Sequence, residues 1–259
     1  MTTIDTKKNQ EARQPIIQFK GVQKYYVVGK EQQLVIKGVD ITIYKGETVA
    51  LLGKSGSGKS TMLNILGLLD FPTSGEYLLN GVNVAGFDDN QRSQIRNKTF
   101  GFIFQQFNLL PKLSVIDNVT APLYYSSDKS KWNNRHKIAM DLLAKFDIAD
   151  QANKLPKLLS GGQQQRVAMA RSLVNDCDVI IGDEPTGALD SRTTDQVMAE
   201  IFRLNTEFGK TVIFVTHDDD LASKFGRIIR LKDGVIVDEF WKEFPYWHFT
   251  HKKLTQKSS

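Results

Sequence analysis

The chain has 259 residues, of which 41% are hydrophobic and 24% charged, and its formal net charge is +5 at pH 7. This length can bury an ample core, but the apolar runs fall far short of the ~20 residues that a membrane-spanning helix needs. Much of the excess positive charge lies near the two ends, which favours solvated tails over a membrane-binding or nucleic-acid-binding surface.

The N-terminal part of the chain contains short strand-like runs separated by turns. Runs rich in β-branched residues predict strands at Ile16–Lys20, Val39–Tyr44, Thr48–Leu52, Glu76–Leu79 and Phe100–Phe104. Asn80-Gly81 follows the fourth run and predicts a hairpin that resumes at Val82, because the Asn-Gly pair tolerates positive φ.

Helical periodicity dominates the middle of the chain. Between Pro111 and Val174, apolar residues recur three and four positions apart, as at Ile138, Leu142 and Phe146. Strand-like runs then return at Val179–Gly182, Thr211–Val215, Ile228–Lys232 and, after the Asp233-Gly234 turn, Val235–Val237.

Strands with interleaved helices predict an α/β fold with a largely parallel sheet. The helical stretch, about residues 106–174, is expected to be a subdomain inserted into one domain at 15–239. A flexible N-terminus at 1–14 precedes that domain, and an aromatic and basic tail at 240–259 follows it. The N-terminus has no apolar core of the signal-peptide kind, so we expect the chain to stay in the compartment where it is made.

A glycine-rich segment follows the strand predicted at Thr48–Leu52. The segment Gly53-Lys54-Ser55-Gly56-Ser57-Gly58-Lys59-Ser60 fits the pattern G-x-x-x-x-G-K-[ST], and a helix is predicted from Ser60 to Leu69. Glycines let backbone N–H groups turn towards phosphate oxygens at a helix N-terminus. We expect Lys59 to reach the β- and γ-phosphates of a nucleotide and Ser60 to ligate Mg²⁺. The residues predicted to contact the nucleotide here are Gly53, Ser55, Gly56, Ser57, Gly58, Lys59, Ser60 and Thr61.

A pair of carboxylates ends a later strand. Asp183 and Glu184 follow the buried run that begins at Val179. Asp183 is expected to hold the Mg²⁺ of a phosphate loop, directly or through water. Glu184, one residue later, is expected to point in a different direction from Asp183 and to polarise the attacking water.

The segment Leu159-Ser160-Gly161-Gly162-Gln163-Gln164-Gln165-Arg166 resembles the LSGGQ signature of ATP-binding-cassette (ABC) proteins. Physically it is a second anion site, because a serine hydroxyl and glycine amides precede a helix predicted to run to about Asn175. The resemblance implies the P-loop NTPase fold of the ABC type, with an antiparallel β subdomain and an inserted helical subdomain. It also implies a homodimer that sandwiches two MgATP. In that dimer Ser160, Gly161, Gly162 and Gln163 would close on the γ-phosphate held by the other copy.

Four further positions match motifs of the same family in the expected order. Gln105 resembles the glutamine that touches Mg²⁺ and water and faces the membrane partner, and Asp190 resembles the aspartate of the loop that crosses the dimer interface. His217 resembles the histidine that hydrogen-bonds the γ-phosphate. Tyr26 resembles the aromatic residue that stacks on adenine, with Tyr25 as the alternative. The predicted catalytic residues are Lys59, Gln105, Glu184 and His217, and the predicted Mg²⁺ ligands are Ser60, Gln105 and Asp183.

The residues around these motifs are most similar to the branch of lipoprotein-release, macrolide-efflux, antimicrobial-peptide-efflux and cell-division ATPases. This implies an ATPase that hydrolyses ATP to drive a separate integral membrane permease from the cytoplasmic face of the membrane. An exporter or mechanical system is favoured, and an importer remains the alternative. A soluble ABC ATPase of DNA repair or translation is disfavoured, since the chain has neither a long coiled coil nor a second cassette. Retention of Lys59, Asp183, Glu184 and His217 disfavours a regulator that does not hydrolyse ATP.

Three departures from the family pattern remove no chemical group from the site: Leu158, Cys177 and Gly182. Cys177, as the single cysteine, also excludes an internal disulfide. The tail carries the aromatic residues Phe240, Trp241, Phe244, Tyr246, Trp247 and Phe249, and then Lys252, Lys253 and Lys257. Packing of these aromatics on the same subunit or its copy is favoured over a contact with anionic lipid, because Pro245 interrupts any continuous helix.

Overall fold

The computed structural model describes residues 13–184 and 191–242, whose strands form two sheets. The strands are β1 (Pro15–Val28), β2 (Glu31–Tyr44), β3 (Thr48–Leu52), β4 (Ser74–Leu79), β5 (Val82–Asn83), β6 (Phe100–Phe104), β7 (Val179–Asp183), β8 (Thr211–Thr216), β9 (Arg227–Lys232) and β10 (Val235–Trp241). One sheet has the order β10-β9-β3-β8-β7-β6 and is parallel except for β10. The other is antiparallel, with the order β2-β1-β4-β5. The predicted fold class is confirmed.

The β1–β2 hairpin is much longer than the two strands that the sequence predicts. The predicted runs at Ile16–Lys20 and Val39–Tyr44 form only its base, and the pairing continues to Val28 opposite Glu31. Four register shifts interrupt this ladder, and each shift breaks the alternation of buried and exposed side chains. The outer half of the hairpin therefore carries no period-2 pattern in its sequence.

The helices are α1 (Lys59–Leu66), α2 (Asp89–Thr99), α3 (Val115–Thr120), α4 (Lys129–Asn133), α5 (Arg135–Lys145), α6 (Gly161–Leu173), α7 (Ser191–Thr206) and α8 (Asp219–Ala222). Helices α3 to α6 fall between β6 and β7, where the sequence predicts an inserted helical segment. Helix α1 ends before the predicted Leu69. A Cβ at Gly67 would lie 2.7 Å from the Phe102 ring, and Leu68 takes a φ of 56°.

The parallel sheet separates two hydrophobic clusters, as the alternation along β3 shows. Ala50 and Leu52 belong to the cluster that includes the apolar residues of α5, α6 and α7, such as Leu143. Val49 and Leu51 belong to the cluster that includes α1 and the antiparallel sheet. The sheet is therefore the middle layer, and its buried strands fix where their carboxyl ends emerge.

The last strand extends past the predicted domain boundary at residue 239. Phe240 pairs with Ile228 and Trp241 pairs with Arg227, so these two aromatics belong to β10. The Trp241 ring lies 4.2 Å from the guanidinium carbon of Arg227. Within the described ranges, no helix has the length and apolar character that crossing a membrane requires.

Candidate nucleotide-binding site

The carboxyl ends of four parallel strands meet at one open cleft with a volume of about 740 Å³. The segments after β3, β6, β7 and β8 all contribute to it, as expected for parallel strands that end at the same edge of a sheet. The cleft is lined by Val35, Lys54, Ser55, Gly56, Gly58, Lys59, Ser60, Thr61, Gln105, Asp183, Glu184 and His217. Val35 and Lys54 are the two that the sequence does not single out. Residues predicted from four separate motifs thus share one cavity.

The conformation of the phosphate loop is held by hydrogen bonds within the loop. Gly56 and Gly58 have φ values of 79° and 100°, which side-chain-bearing residues rarely adopt. The Ser57 N–H donates to the Lys54 carbonyl (3.2 Å), and the Lys59 ammonium donates to the same carbonyl (2.9 Å). Lys59 is buried, so its charge is held inside the loop rather than in solvent.

Two residues predicted to contact nucleotide lie beneath the loop instead of lining the cleft. A Cβ at Gly53 would be 2.5 Å from the Leu231 carbonyl oxygen, which explains the glycine at this position. The Ser57 side chain is buried, and its backbone carbonyl accepts a hydrogen bond from the Gly234 N–H (3.0 Å). These two residues support the loop from the side of β9.

Asp183 and Glu184 lie side by side at the end of β7. Partial burial raises the pKa of Asp183 above its ordinary value, and the neighbouring Glu184 charge raises it further, while Lys59 lowers it. Glu184 has a φ of 41° and donates its N–H to the Val215 carbonyl (3.1 Å). Its Oε1 lies 2.7 Å from Nδ1 of His217. The two carboxylates therefore interact with different groups. Asp183 interacts electrostatically with Lys59, and Glu184 contacts His217.

Gln105 reaches the cleft from a loop that a partly buried arginine holds in place. Phe107 and Asn108 both have positive φ, at 58° and 47°. The Arg171 guanidinium of α6 donates to their carbonyls, with distances of 2.7 Å and 2.6 Å. Burial lowers the pKa of Arg171 to about 10. Arg171 is not predicted from the sequence, because nothing near it in the sequence shows that it contacts a loop 63 residues away.

The signature segment lies apart from this cleft. Ser160 caps α6: its Oγ accepts from the Gln163 N–H (3.3 Å), and the Gln163 side chain accepts from the Ser160 N–H (2.9 Å). Since the Ser160 hydroxyl is an acceptor in this cap, its proton is free to be donated. Ser160, Gly162 and Gln163 line a second cleft, of about 200 Å³, with residues of α7. Within one chain the structure does not bring them to Lys59.

Tyr26 lies beside the start of α1 but does not line the cleft. Its hydroxyl donates to Asp70 Oδ2 (2.7 Å), and the Thr61 side chain is a further neighbour. Burial, and then the hydrogen bond to Asp70, raise the pKa of Tyr26. The hydroxyl of Tyr25, the alternative, lies 3.4 Å from Gln23 Oε1 instead.

Some predicted residues lie outside the described residues. Asp190, with the Ala188-Leu189 that precedes it, falls in the range 185–190. The tail residues Phe244, Pro245, Tyr246, Trp247, Phe249, Lys252, Lys253 and Lys257 fall in the range 243–259.

Comparisons with known proteins place this geometry in a family. The model of the family described as "ABC transporter" matches residues 36–187. The macrolide export ATP-binding/permease protein MacB of Syntrophobacter fumaroxidans is 44% identical over 224 residues, covering 86% of this chain and 31% of that protein. The ABC transporter ATP-binding protein YknY of Bacillus subtilis is 45% identical over 222 residues, covering 86% of this chain and 95% of that protein.

Solved structures of one further relative have the same fold. A dimeric structure of MJ0796, a bacterial ABC transporter cassette, has a TM-score of 0.79 and 44% identity, covering 88% of this chain and 100% of that chain. A second dimeric structure of MJ0796, in a post-hydrolysis state with ADP and phosphate, has a TM-score of 0.79 and 43% identity.

The fold and the cleft define a nucleotide-binding ATPase domain. The chain belongs to the ABC transporter family, as an ATP-binding cassette. It spans about a third of the length of the MacB relative, which includes a permease, and nearly all of YknY.

Proposed function

We propose that this chain is the ATP-hydrolysing subunit of an ABC transporter, which dimerises around two MgATP and drives a separate membrane permease. One observation carries the proposal. A single chain places the phosphate loop, both carboxylates, Gln105 and His217 in one cleft, and leaves Ser160 in another. A second copy can supply the missing serine and glycine amides to the γ-phosphate.

The residues present fit Mg²⁺, which prefers hard oxygen ligands. Ser60, Asp183 and Gln105 offer a hydroxyl, a carboxylate and an amide oxygen at the same cleft. The crowding of Asp183 against Glu184 favours a cation between the loop and β7. When bound, Mg²⁺ neutralises charge on the phosphates.

The protein's own groups would then divide the work of phosphoryl transfer, which depends on positioning and charge stabilisation. Lys59 and the loop amides would hold the γ-phosphate. Glu184 would orient the attacking water, with His217 holding its carboxylate. Because ATP bridges both copies, removal of the γ-phosphate would weaken the closed dimer relative to the open one, and that difference does the work on the permease.

A groove beside Gln105 is where we place the permease. It has a volume of about 360 Å³, and its lining includes Phe104, Tyr125 and Arg171. Tyr125 is 74% exposed. A permease bound in this groove would contact Arg171, and the hydrogen bonds of Arg171 would transmit that contact to the loop that carries Gln105. The cytoplasmic face of the membrane is the corresponding location, and export is supported by the similarity to macrolide export proteins.

A peripheral contact between the tail and the membrane surface, made by its aromatic residues and lysines, is the alternative that we propose beside packing of the tail on the same subunit or its copy, which the sequence favours. Deletion of residues 243–259 tests it without cutting β10, which ends at Trp241. Reduced sedimentation with anionic vesicles, in the absence of a permease, is expected. Unchanged binding would dispose of the lipid contact and would leave the ATPase proposal intact.

The ATPase proposal is tested by phosphate release from the purified chain, wild type against Ser160→Ala. We expect MgATP-dependent release that falls at least tenfold in the variant, because the second copy loses its donor to the γ-phosphate. Ser114→Ala is the matched control, since Ser114 also caps a helix (α3) but lies outside both clefts. Equal activity of the two variants would mean that Ser160 is only a helix cap.

A further inference from the structure

A charged pair holds Tyr26, the aromatic side chain that the family resemblance predicts to stack on adenine. The Tyr26 hydroxyl donates to Asp70 Oδ2 (2.7 Å), and the Lys24 ammonium donates to Asp70 Oδ1 (2.5 Å). The side chains of Lys24 and Asp70 are only 13% and 26% exposed. One carboxylate thus fixes both the phenol and the ammonium, in a setting partly shielded from water.

Lys24 also lies over the face of the ring that it helps to fix. Its ammonium is 5.0 Å from the centroid of the Tyr26 ring. An ammonium at this distance is attracted to the π-electrons of the ring. Because Lys24 covers one face, a base that stacks on Tyr26 must use the other face.

Asp70 is itself anchored to the helix that opens at the phosphate loop. The N–H groups of Leu69 and Asp70 both donate to the Asn64 carbonyl of α1, at 2.8 Å and 3.1 Å. The Phe71 N–H donates to Asp70 Oδ1 (2.7 Å), and the Phe71 carbonyl accepts from Lys24 (2.8 Å). The ring of Tyr26 is therefore tied to the same helix whose first residues line the nucleotide cleft.

We propose that Asp70 and Lys24 are positioning residues that hold Tyr26 as a rigid platform for the adenine base. The pair sets how much the base adds to nucleotide affinity. This inference rests on the proposed nucleotide site. A side chain held in its binding conformation loses less rotamer freedom when the ligand arrives, so the fixed ring gives a tighter complex than a free ring.

The test separates the base from the triphosphate. The full chain is titrated with ATP and with inorganic tripolyphosphate, with Mg²⁺ omitted so that neither ligand is hydrolysed. The ratio of the two affinities measures the contribution of the nucleoside. We expect Tyr26→Ala to lower this ratio about tenfold or more, since one stacked base is worth roughly a factor of ten.

Asp70→Ala and Tyr26→Phe are expected to lower the ratio about threefold each, because both release the ring and leave its aromatic surface. The double variant should fall no further than either single variant, since both remove the same tether. Lys24→Met is expected to act in the same direction. Lys20→Met is the matched control, because Lys20 makes an exposed ion pair with Glu76 (3.0 Å) on the same sheet, and its ratio should stay at the wild-type value.

Three results would overturn the inference. If Tyr26→Ala lowers the ratio but Asp70→Ala does not, or if Asp70→Ala and Tyr26→Phe add, Asp70 does not act through Tyr26. If Tyr26→Ala leaves the ratio unchanged, the adenine platform itself is absent and the positioning inference fails with it. Tyr26→Phe, which removes the same hydrogen bond from its other partner, carries the test should Asp70→Ala not fold.

Discussion

At the level of one residue, the position of Asp183 suits the site but lowers the stability of the folded protein. Its carboxylate is partly buried and adjacent to Glu184, and both effects raise its pKa above the ordinary value. Lys59 offsets them only in part. In the absence of a bound cation the folded state therefore carries a charge that the unfolded chain would hold at lower free energy.

Asp183→Asn is expected to stabilise the nucleotide-free protein at neutral pH, with a rise in Tm on the order of 2 °C, and to abolish Mg²⁺-dependent hydrolysis. The sign follows from the raised pKa. The variant's advantage is full above that raised pKa and shrinks as the pH falls from it towards the ordinary pKa of an aspartate, because Asp183 becomes protonated in the folded wild type first. Thermal unfolding at several pH values, with phosphate release in parallel, measures both effects. A lower Tm for the variant at neutral pH would contradict the assigned electrostatics.

Glu184 is expected to affect turnover and not affinity. Glu184→Gln keeps the size of the side chain and its place beside His217 but removes the base, so hydrolysis should fall about 100-fold or more while ATP still binds. Phosphate release and nucleotide titration on the same preparation measure the two quantities. Glu76→Gln, at a surface ion pair, serves as the control. Near wild-type hydrolysis by Glu184→Gln would show that another group orients the water.

At the level of elements, the packing of β7 against β8 depends on one residue of β7 that has no side chain. A Cβ at Gly182 would lie 2.5 Å from the Phe214 ring of β8. Gly182 is one of the three positions at which the sequence departs from the family pattern. The structure gives the physical reason, since Phe214 occupies that volume.

Gly182→Ala is expected to lower the free energy of unfolding by about 1–3 kcal/mol, because the added methyl group must displace a packed aromatic ring. Denaturant unfolding measures the change. Gly86→Ala is the control, since a Cβ at Gly86 would meet nothing within 4 Å. If the two variants proved equally stable, Phe214 would have room to move and the packing explanation would be wrong.

The sequence predicts some elements to the residue and others only in part. Strands β3 and β6 agree with Thr48–Leu52 and Phe100–Phe104, because buried parallel strands are continuous apolar runs. The outer β1–β2 hairpin is missed because its bulges remove the alternation on which the prediction depends. Phosphate-loop residues can be predicted because they are contiguous. Asp70 and Arg171 cannot, since their partners lie 44 and 63 residues away and only the fold brings them together.

At the level of the whole molecule, the cleft and the signature cap belong to two separate surfaces of one chain. The parallel sheet fixes the first and helix α6 fixes the second, and Arg171 of α6 holds the loop that carries Gln105. Movement of the helical region would therefore shift Gln105 and Ser160 together. Such a linkage suits a site that is completed only when two copies meet around ATP.

The most direct test of that claim is the molar mass of the Glu184→Gln protein, measured by light scattering with and without saturating MgATP. We expect a monomer without nucleotide and a dimer with MgATP. The dimer should be lost when Ser160→Arg is added and retained when Ser114→Arg is added. A protein that stays monomeric with MgATP bound, or a dimer that survives Ser160→Arg, would contradict a nucleotide site shared between two copies.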